Sequence, residues 1–299
     1  GEKSRIVILV ATSGDTGKAA LEGFRDVEGT RIIVFYPYGG VSFMQEAQMV
    51  TQEGSNVDVV AVEGNFDDTQ NAVKGIFTDE ELREQIGKNG YVFSSANSIN
   101  WGRLVPQVIY YVSAYADMVR KGWINADEAI NIVVPTGNFG NMLAAYYAMS
   151  MGIPVGKLIC ASNENNVLTD FINTGVYNSN REFFRTISPS MDILISSNLE
   201  RLLFELNDRN SELTREWMAG LKEKGMYKVD ESTWERLKDL LWAGFAGHEE
   251  TLASIRETYG TYGYVIDTHT AVGMNVYRKY TAATGDGRKT LIASTASPF

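Results

Sequence analysis

Short runs of Val, Ile and Phe alternate with helical stretches through the first third of this chain, and that alternation leaves few folds open. The runs are Arg5–Ala11, Arg31–Tyr36, Val57–Val62 and Tyr91–Ser94. Helical patterns near Thr16–Phe24, Met44–Thr51, Asp67–Phe77 and Glu80–Ile86 separate them. Alternation at this spacing predicts a parallel sheet covered by helices on both faces. Sheets of that kind take ligands beyond the carboxyl ends of their strands.

Two glycine-rich loops stand at such ends. The first is Ala11-Thr-Ser-Gly-Asp-Thr-Gly17, where Gly14 and Gly17 permit a tight turn and close backbone approach. Ser13, Asp15 and Thr16 place hydroxyl and carboxylate groups at a helix start. A plain helix cap by Asp15 or Ser13 fits the same residues, so on its own this loop suits either reading. It is not a P-loop, because Thr12 stands where that motif needs Gly and Ala19 follows Lys18. Nor does Ser13–Lys18 supply the Gly-x-Gly-x-x-Gly of a dinucleotide site. The second loop, Val134-Pro-Thr-Gly-Asn-Phe-Gly-Asn141, joins a strand to an apolar helix. Backbone N–H groups of Gly137, Asn138, Phe139, Gly140 and Asn141, with the helix dipole, suit a phosphate. The alternative is a tight turn with an Asn cap.

A third cluster, Asn97-Ser-Ile-Asn-Trp-Gly-Arg103, gathers two amides, Ser98 and Arg103 around a helix start. Arg suits bidentate capture of carboxylate or phosphate. Taken alone, a polar cap with a solvated Arg is the favoured reading. Asp267-Thr-His-Thr270 offers a general base, but a cap by Asp267 or Thr268 with His269 as a partly buried neighbour is favoured.

The rest of the chain continues in the same style. A long amphipathic stretch covers Trp101–Lys121, followed by strands at Asn131–Pro135 and Lys157–Ala161 around a helix at Asn141–Met151. Helical patterns dominate thereafter, the longest over Ser232–Tyr259. Tyr264–Ile266 and Lys289–Ser294 read as strands flanking a helix over Thr270–Tyr280, and the polar stretch Asn173–Asn180 as a mobile surface loop. A boundary near Ser95 divides a smaller α/β domain, 1–95, from a larger one, 96–299.

Composition narrows the function. With 44% apolar and 21% charged residues the chain has the makings of a sizeable core. A net charge of −10 argues against non-specific nucleic-acid binding, yet it leaves room for a small anion held by local donors. The one cysteine, Cys160, lies in the apolar run Leu158-Ile-Cys-Ala161 and reads as a buried, inert thiol. It fits a reducing, cytoplasmic setting. Two histidines, His248 and His269, are too few for a multi-His metal site. No apolar run is long enough to span a bilayer.

Read together, eight stretches resemble threonine synthase, a pyridoxal-phosphate enzyme of the tryptophan-synthase-β-like, fold type II group. They are Ala11–Gly17, Tyr36–Met49, Asn97–Arg103, Val134–Asn141, Asn163–Leu168, Ser188–Arg201, Asp267–Gly273 and Ser294–Pro298, collinear over almost the whole chain. The resemblance implies an α/β protein of two domains, with parallel, twisted sheets flanked by helices. It implies that Gly137 to Asn141 hold the phosphate of pyridoxal phosphate. Thr295, or Ser294 beside it, then presents a hydroxyl to the pyridine nitrogen. Ser13, Gly14, Asp15 and Thr16 receive the substrate carboxylate, and Ser98, Asn100 and Arg103 the substrate phosphate. The implied reaction turns O-phospho-L-homoserine and water into L-threonine and phosphate.

One residue departs from the family pattern. The lysine that links to the cofactor lies upstream of the first loop in relatives, within a Phe-Lys-Asp segment. Here Lys3 alone precedes that loop. It starts a strand whose far end carries the loop, roughly 25–30 Å away at about 3.3 Å per residue. Lys18 is a weak replacement. The chain is therefore expected to be a core segment lacking its N-terminal part, inactive by itself and prone to self-association through exposed apolar surface. Two other readings are a lysine-free homologue that binds a phosphorylated ligand without catalysis, and a phospho-lyase of the same group.

Overall fold

The computed structural model describes residues 5–12, 14–41, 43–97, 100–294 and 296–298, with the side chains of Asp15 and Asp67 set aside. It divides into two compact units, Gly1–Arg103 and Leu104–Phe299. This division falls within the first turn of a long helix, Trp101–Arg120, rather than near Ser95.

The first unit is a four-stranded parallel sheet. Its elements run β1 (Arg5–Ala11), α1 (Asp15–Phe24), β2 (Thr30–Pro37), α2 (Phe43–Val50), β3 (Val57–Val62), α3 (Phe66–Thr78), α4 (Glu80–Lys88) and β4 (Tyr91–Ser95). The strand order is β3-β2-β1-β4, every pair parallel. Ile8 and Val10 of β1 pack with Ile32 and Val34 of β2 against Leu21 of α1 and Met49 of α2. Central strands buried on both faces need apolar residues at successive positions, as Ile8-Leu-Val-Ala11 provides. The side chain of Asn97 ties the strand ends together. Its Oδ1 accepts from Ala11 N at 3.2 Å and its Nδ2 donates to Ala11 O at 2.8 Å.

The second unit begins within α5 (Trp101–Arg120) and repeats the scheme. Next come β5 (Ile130–Pro135), α6 (Gly140–Ser150), β6 (Val155–Ser162), α7 (Val167–Thr174), β7 (Val176–Asn178), α8 (Leu199–Leu206), α9 (Ser211–Lys224) and β8 (Met226–Lys228). The unit closes with α10 (Glu231–Leu240), β9 (Leu241–Phe245), α11 (His248–Tyr262), α12 (Thr268–Thr284) and β10 (Thr290–Ile292). The sheet order is β10-β5-β6-β9, again all parallel. All six residues of β5 are buried, and Val133, Ile159, Val272 and Val276 form the core beneath α12. Cys160 is fully buried in β6, and burial pushes its thiol up to about 12, so it is chemically quiet.

Four expectations are corrected. The helical pattern over Ser232–Tyr259 is two helices interrupted by β9, which pairs with β6. Leu241-Trp-Ala-Gly-Phe245 is a short apolar run, and periodicity alone does not separate such a run from buried helix. Tyr264–Ile266 is not a strand; it is a lead-in to α12 with Tyr264 and Val265 exposed, and among the described residues no strand pairs with it. The stretch Asn173–Asn180 is not a loose loop, for Val176–Asn178 pairs antiparallel with β8. Tyr177 is 1% exposed there, stacked on Tyr227 at 5.2 Å, and its hydroxyl donates to Leu194 O at 2.9 Å. Lys289–Ser294 narrows to the three residues of β10.

Candidate functional site

The turn between β5 and α6 enters its helix through an apolar residue. Phe139 sits at the N-cap in the left-handed region, φ 64°, with its ring buried, and its side chain makes no capping hydrogen bond. The alternative reading, a tight turn with an Asn cap, is not what forms: the chain turns into α6 through a residue whose side chain has no acceptor. The first N–H groups of a helix have no carbonyl partner within it, and α6 has no acidic residue in its first turn. Such an end carries a partial positive charge and presents N–H groups together. Donors without nearby acids suit a phosphate dianion, so these residues fit the phosphate of pyridoxal phosphate.

A distant segment clasps this turn from behind. Ser196 Oγ donates to Gly137 O at 2.8 Å, and Asn198 donates to Asn138 O through its backbone N at 3.1 Å and its Nδ2 at 2.8 Å. With the Gly137 and Asn138 carbonyls occupied on that side, the turn is held in one conformation. Tyr111 of α5 hydrogen-bonds to Asn141 Oδ1, and burial raises its phenol well above the ordinary range. Sequence reasoning assigned no role to Ser196, Asn198 or Tyr111. The sole signal was that Ser196 and Asn198 fall within one of the matched stretches.

Near the end of β10, Ser294 Oγ lies 3.1 Å from Thr270 Oγ1, which also hydrogen-bonds to Asp267. Thr295 lies outside the described residues. Asp267 caps α12, accepting from His269 N at 2.8 Å and Thr270 N at 3.1 Å. Burial alone would raise its carboxyl, but the hydrogen bonds from His269 and Thr270 outweigh that and hold it below its ordinary value. The favoured cap is what the structure contains, and the carboxylate is fully engaged.

In the first unit, Gly14 has φ 141°, which requires glycine, and α1 has no side-chain cap in the usual position. Thr12, to which sequence reasoning gave no role, supplies an acceptor at this turn. Its Oγ1 accepts from Gly14 N at 2.9 Å and from Gly17 N at 2.8 Å. Ser13 and the Asp15 side chain lie outside the described residues, and Thr16 is exposed. Lys18 Nζ contacts Gln52 Oε1 and lies 3.6 Å from Glu22, a half-exposed surface pairing. Of the third cluster, Ser98 lies outside the described residues. Asn100 Nδ2 donates to Ser95 O at 2.7 Å and its Oδ1 accepts from Gly102 N at 2.9 Å, so its amide caps α5. Arg103 is half-buried and has no carboxylate partner among the described residues.

Two parallel α/β sheets and a helix start with no acid in its first turn place the chain among α/β proteins with a helix N-terminus suited to an anion. A family described as pyridoxal-phosphate dependent enzyme matches residues 1–295, and the chain belongs to it. It is 46% identical over 273 residues to human threonine synthase-like 1, covering 89% of this chain and 37% of that protein. It is 38% identical over 275 residues to threonine synthase of Pseudomonas aeruginosa, covering 92% of this chain and 56% of that protein. The crystal structure of threonine synthase from Brucella melitensis with pyridoxal phosphate bound superposes with a TM-score of 0.85 at 40% identity, covering 99% of this chain and 61% of that one. The chain thus spans between about a third and three fifths of the length of these relatives. Pyridoxal phosphate is the cofactor of the family.

Proposed function

We propose that this chain is the core of a threonine synthase, acting on O-phospho-L-homoserine and water to give L-threonine and phosphate. The observation that carries the reading is the uncapped, acid-free start of α6 behind the Gly137–Asn141 turn, in a chain 38% identical to a bacterial threonine synthase. When bound, pyridoxal phosphate supplies an electron sink for charge developing on the substrate carbon chain. The protein's part is placement and electrostatics. The N–H groups of the turn hold the cofactor phosphate. The hydroxyl of Thr295, or of Ser294, would serve as the partner of the pyridine nitrogen; a neutral partner would leave that nitrogen largely unprotonated and would favour elimination and replacement at the substrate side chain. Ser13 to Thr16 orient the substrate carboxylate. Arg103 attracts the substrate phosphate, with Ser98; the amide of Asn100 caps the helix on which Arg103 stands. The single buried thiol suits a reducing cytoplasm.

The test uses the full-length protein with pyridoxal phosphate and phosphohomoserine. Threonine and phosphate in equal amounts support the reading. A ketoacid with ammonia would make it a phospho-lyase. Bound cofactor with no turnover would make it a non-catalytic homologue. Borohydride reduction with intact-mass mapping then locates the linking lysine. We expect no adduct at Lys18, whose amine is engaged with Gln52 and Glu22.

A further inference from the structure

We propose that His269 is a positioning residue for the cradle at the start of α6, acting through the backbone of Ser190. This rests on the reading that the Gly137–Asn141 turn holds a phosphate. Ser190 N donates to His269 Nε2 at 3.2 Å, so that nitrogen is unprotonated and the ring proton sits on Nδ1. Nδ1 faces Asp267 Oδ1 at 3.2 Å, and the imidazole is 4% exposed. The ring is therefore pinned from both sides, donating to a carboxylate that also caps α12 and accepting from Ser190.

The other side of Ser190 meets the cradle. Its carbonyl oxygen lies 2.4 Å from where a Cβ on Gly137 would stand, so the two backbones are in close contact. A shift of the Ser190 N–H carries that carbonyl with it. The segment has a second anchor at Asp192, which accepts from Asn163 Nδ2 at 2.7 Å, Asn165 Nδ2 at 3.2 Å, Thr186 N at 2.9 Å and Thr186 Oγ1 at 2.7 Å. Between these anchors Met191 is buried in the core with Val272. Further along, Ser196 and Asn198 make the clasp on Gly137 and Asn138. The segment acts as a splint, and His269 sets its near end.

Two substitutions separate positioning from packing. Gln keeps an acceptor close to the Nε2 position and fills less space, whereas Phe fills the space and accepts nothing. Binding of pyridoxal phosphate and of inorganic phosphate is measured by equilibrium dialysis. Hydrogen exchange is followed in peptides covering 134–143 and 188–193. We expect His269→Phe to weaken binding about tenfold, the scale of one lost buried hydrogen bond that leaves its donor unpaired. Exchange should rise in both peptides, and His269→Gln should recover most of both effects. Equal or better retention by Phe would overturn the proposal, as would faster exchange confined to 188–193 with unchanged affinity, or a rise throughout the second unit in both variants alike. If the unaltered chain binds neither probe, the cradle reading falls, and the exchange comparison alone decides the role of His269.

Discussion

The carbonyl oxygen of Ser190 stands 2.4 Å from the position a Cβ would take on Gly137, with Met191 Cα at 3.3 Å. Both obstacles are backbone, so neither can turn aside as a side chain would. Gly137→Ala should force the turn and the splint apart, destabilising the second unit by about 1–3 kcal/mol. The urea midpoint reports the loss. Affinity for pyridoxal phosphate should fall with it, because the donors of α6 start from this turn. An unchanged midpoint would mean that the splint yields freely.

In the first unit the hydroxyl of Thr12, 1% exposed, takes the place of a helix cap. Thr12→Val preserves shape and removes the acceptor. Gly14 N–H loses its partner, and Gly17 N–H keeps only Gly14 O at 3.0 Å. The expected cost is about 1–2 kcal/mol, read from chemical denaturation followed by signals from the first unit. Thr12→Ser keeps the oxygen and should stay near the unaltered chain.

Much of the architecture was legible because each strand of the first sheet is an apolar run closed by turn residues. Val57–Val62 and Arg5–Ala11 were bounded correctly at both ends for that reason. β9 was not legible: its five residues join α10 without a break signal, and pairing with β6 decides their conformation. The ribbon at Tyr177 was hidden for a similar reason, since its partner Tyr227 is far along the chain. The glycine loops announced themselves by composition, but what holds them did not. Ser196 and Asn198 lie 59 and 60 residues from the carbonyls they clasp, and a backbone carbonyl carries no sequence signature. At the second loop the alternative of an Asn cap gives way to Phe139, and at the first Thr12 accepts from two N–H groups, because a residue's place in the turn, not its type alone, determines which N–H it reaches.

Asp286 gives the second unit an acid-sensitive fastening. Its carboxylate accepts from Tyr280 Oη at 2.6 Å, Asn131 Nδ2 at 3.0 Å and Arg288 Nη1 at 2.9 Å, joining α12 to β5 and the approach to β10. The Tyr280 hydroxyl, foremost among these donors, holds the carboxyl down to about 2. An unfolded Asp titrates near 3.9. A depressed folded value stabilises the fold at pH above the unfolded one, and that contribution fades as pH falls toward about 2. The melting temperature of Asp286→Asn should lie below that of the unaltered chain at pH 6. The gap should narrow between about pH 4 and pH 2. A gap constant across that range would show that the ionised carboxylate contributes nothing beyond its hydrogen-bonding shape.

Asn198 offers a test of charge at the cradle. Its side chain is fully buried, and its Nδ2 donates to Asn138 O at 2.8 Å, beside the turn into α6. Asn198→Asp keeps the volume but replaces that donor with an acceptor facing a carbonyl oxygen. If ionised, it also sets a negative charge near N–H groups proposed to hold a phosphate. Burial opposes ionisation, so the loss should grow as pH rises through the range where the new carboxyl loses its proton. Affinity for inorganic phosphate and for pyridoxal phosphate should drop more than tenfold at pH 8 and less at pH 5, with circular dichroism confirming that the fold persists. Because phosphate itself gains charge over this interval, each comparison is made against the unaltered chain at the same pH. Equal affinity at pH 8 with a native spectrum would place the anion elsewhere and remove the turn at Gly137–Asn141 from the site.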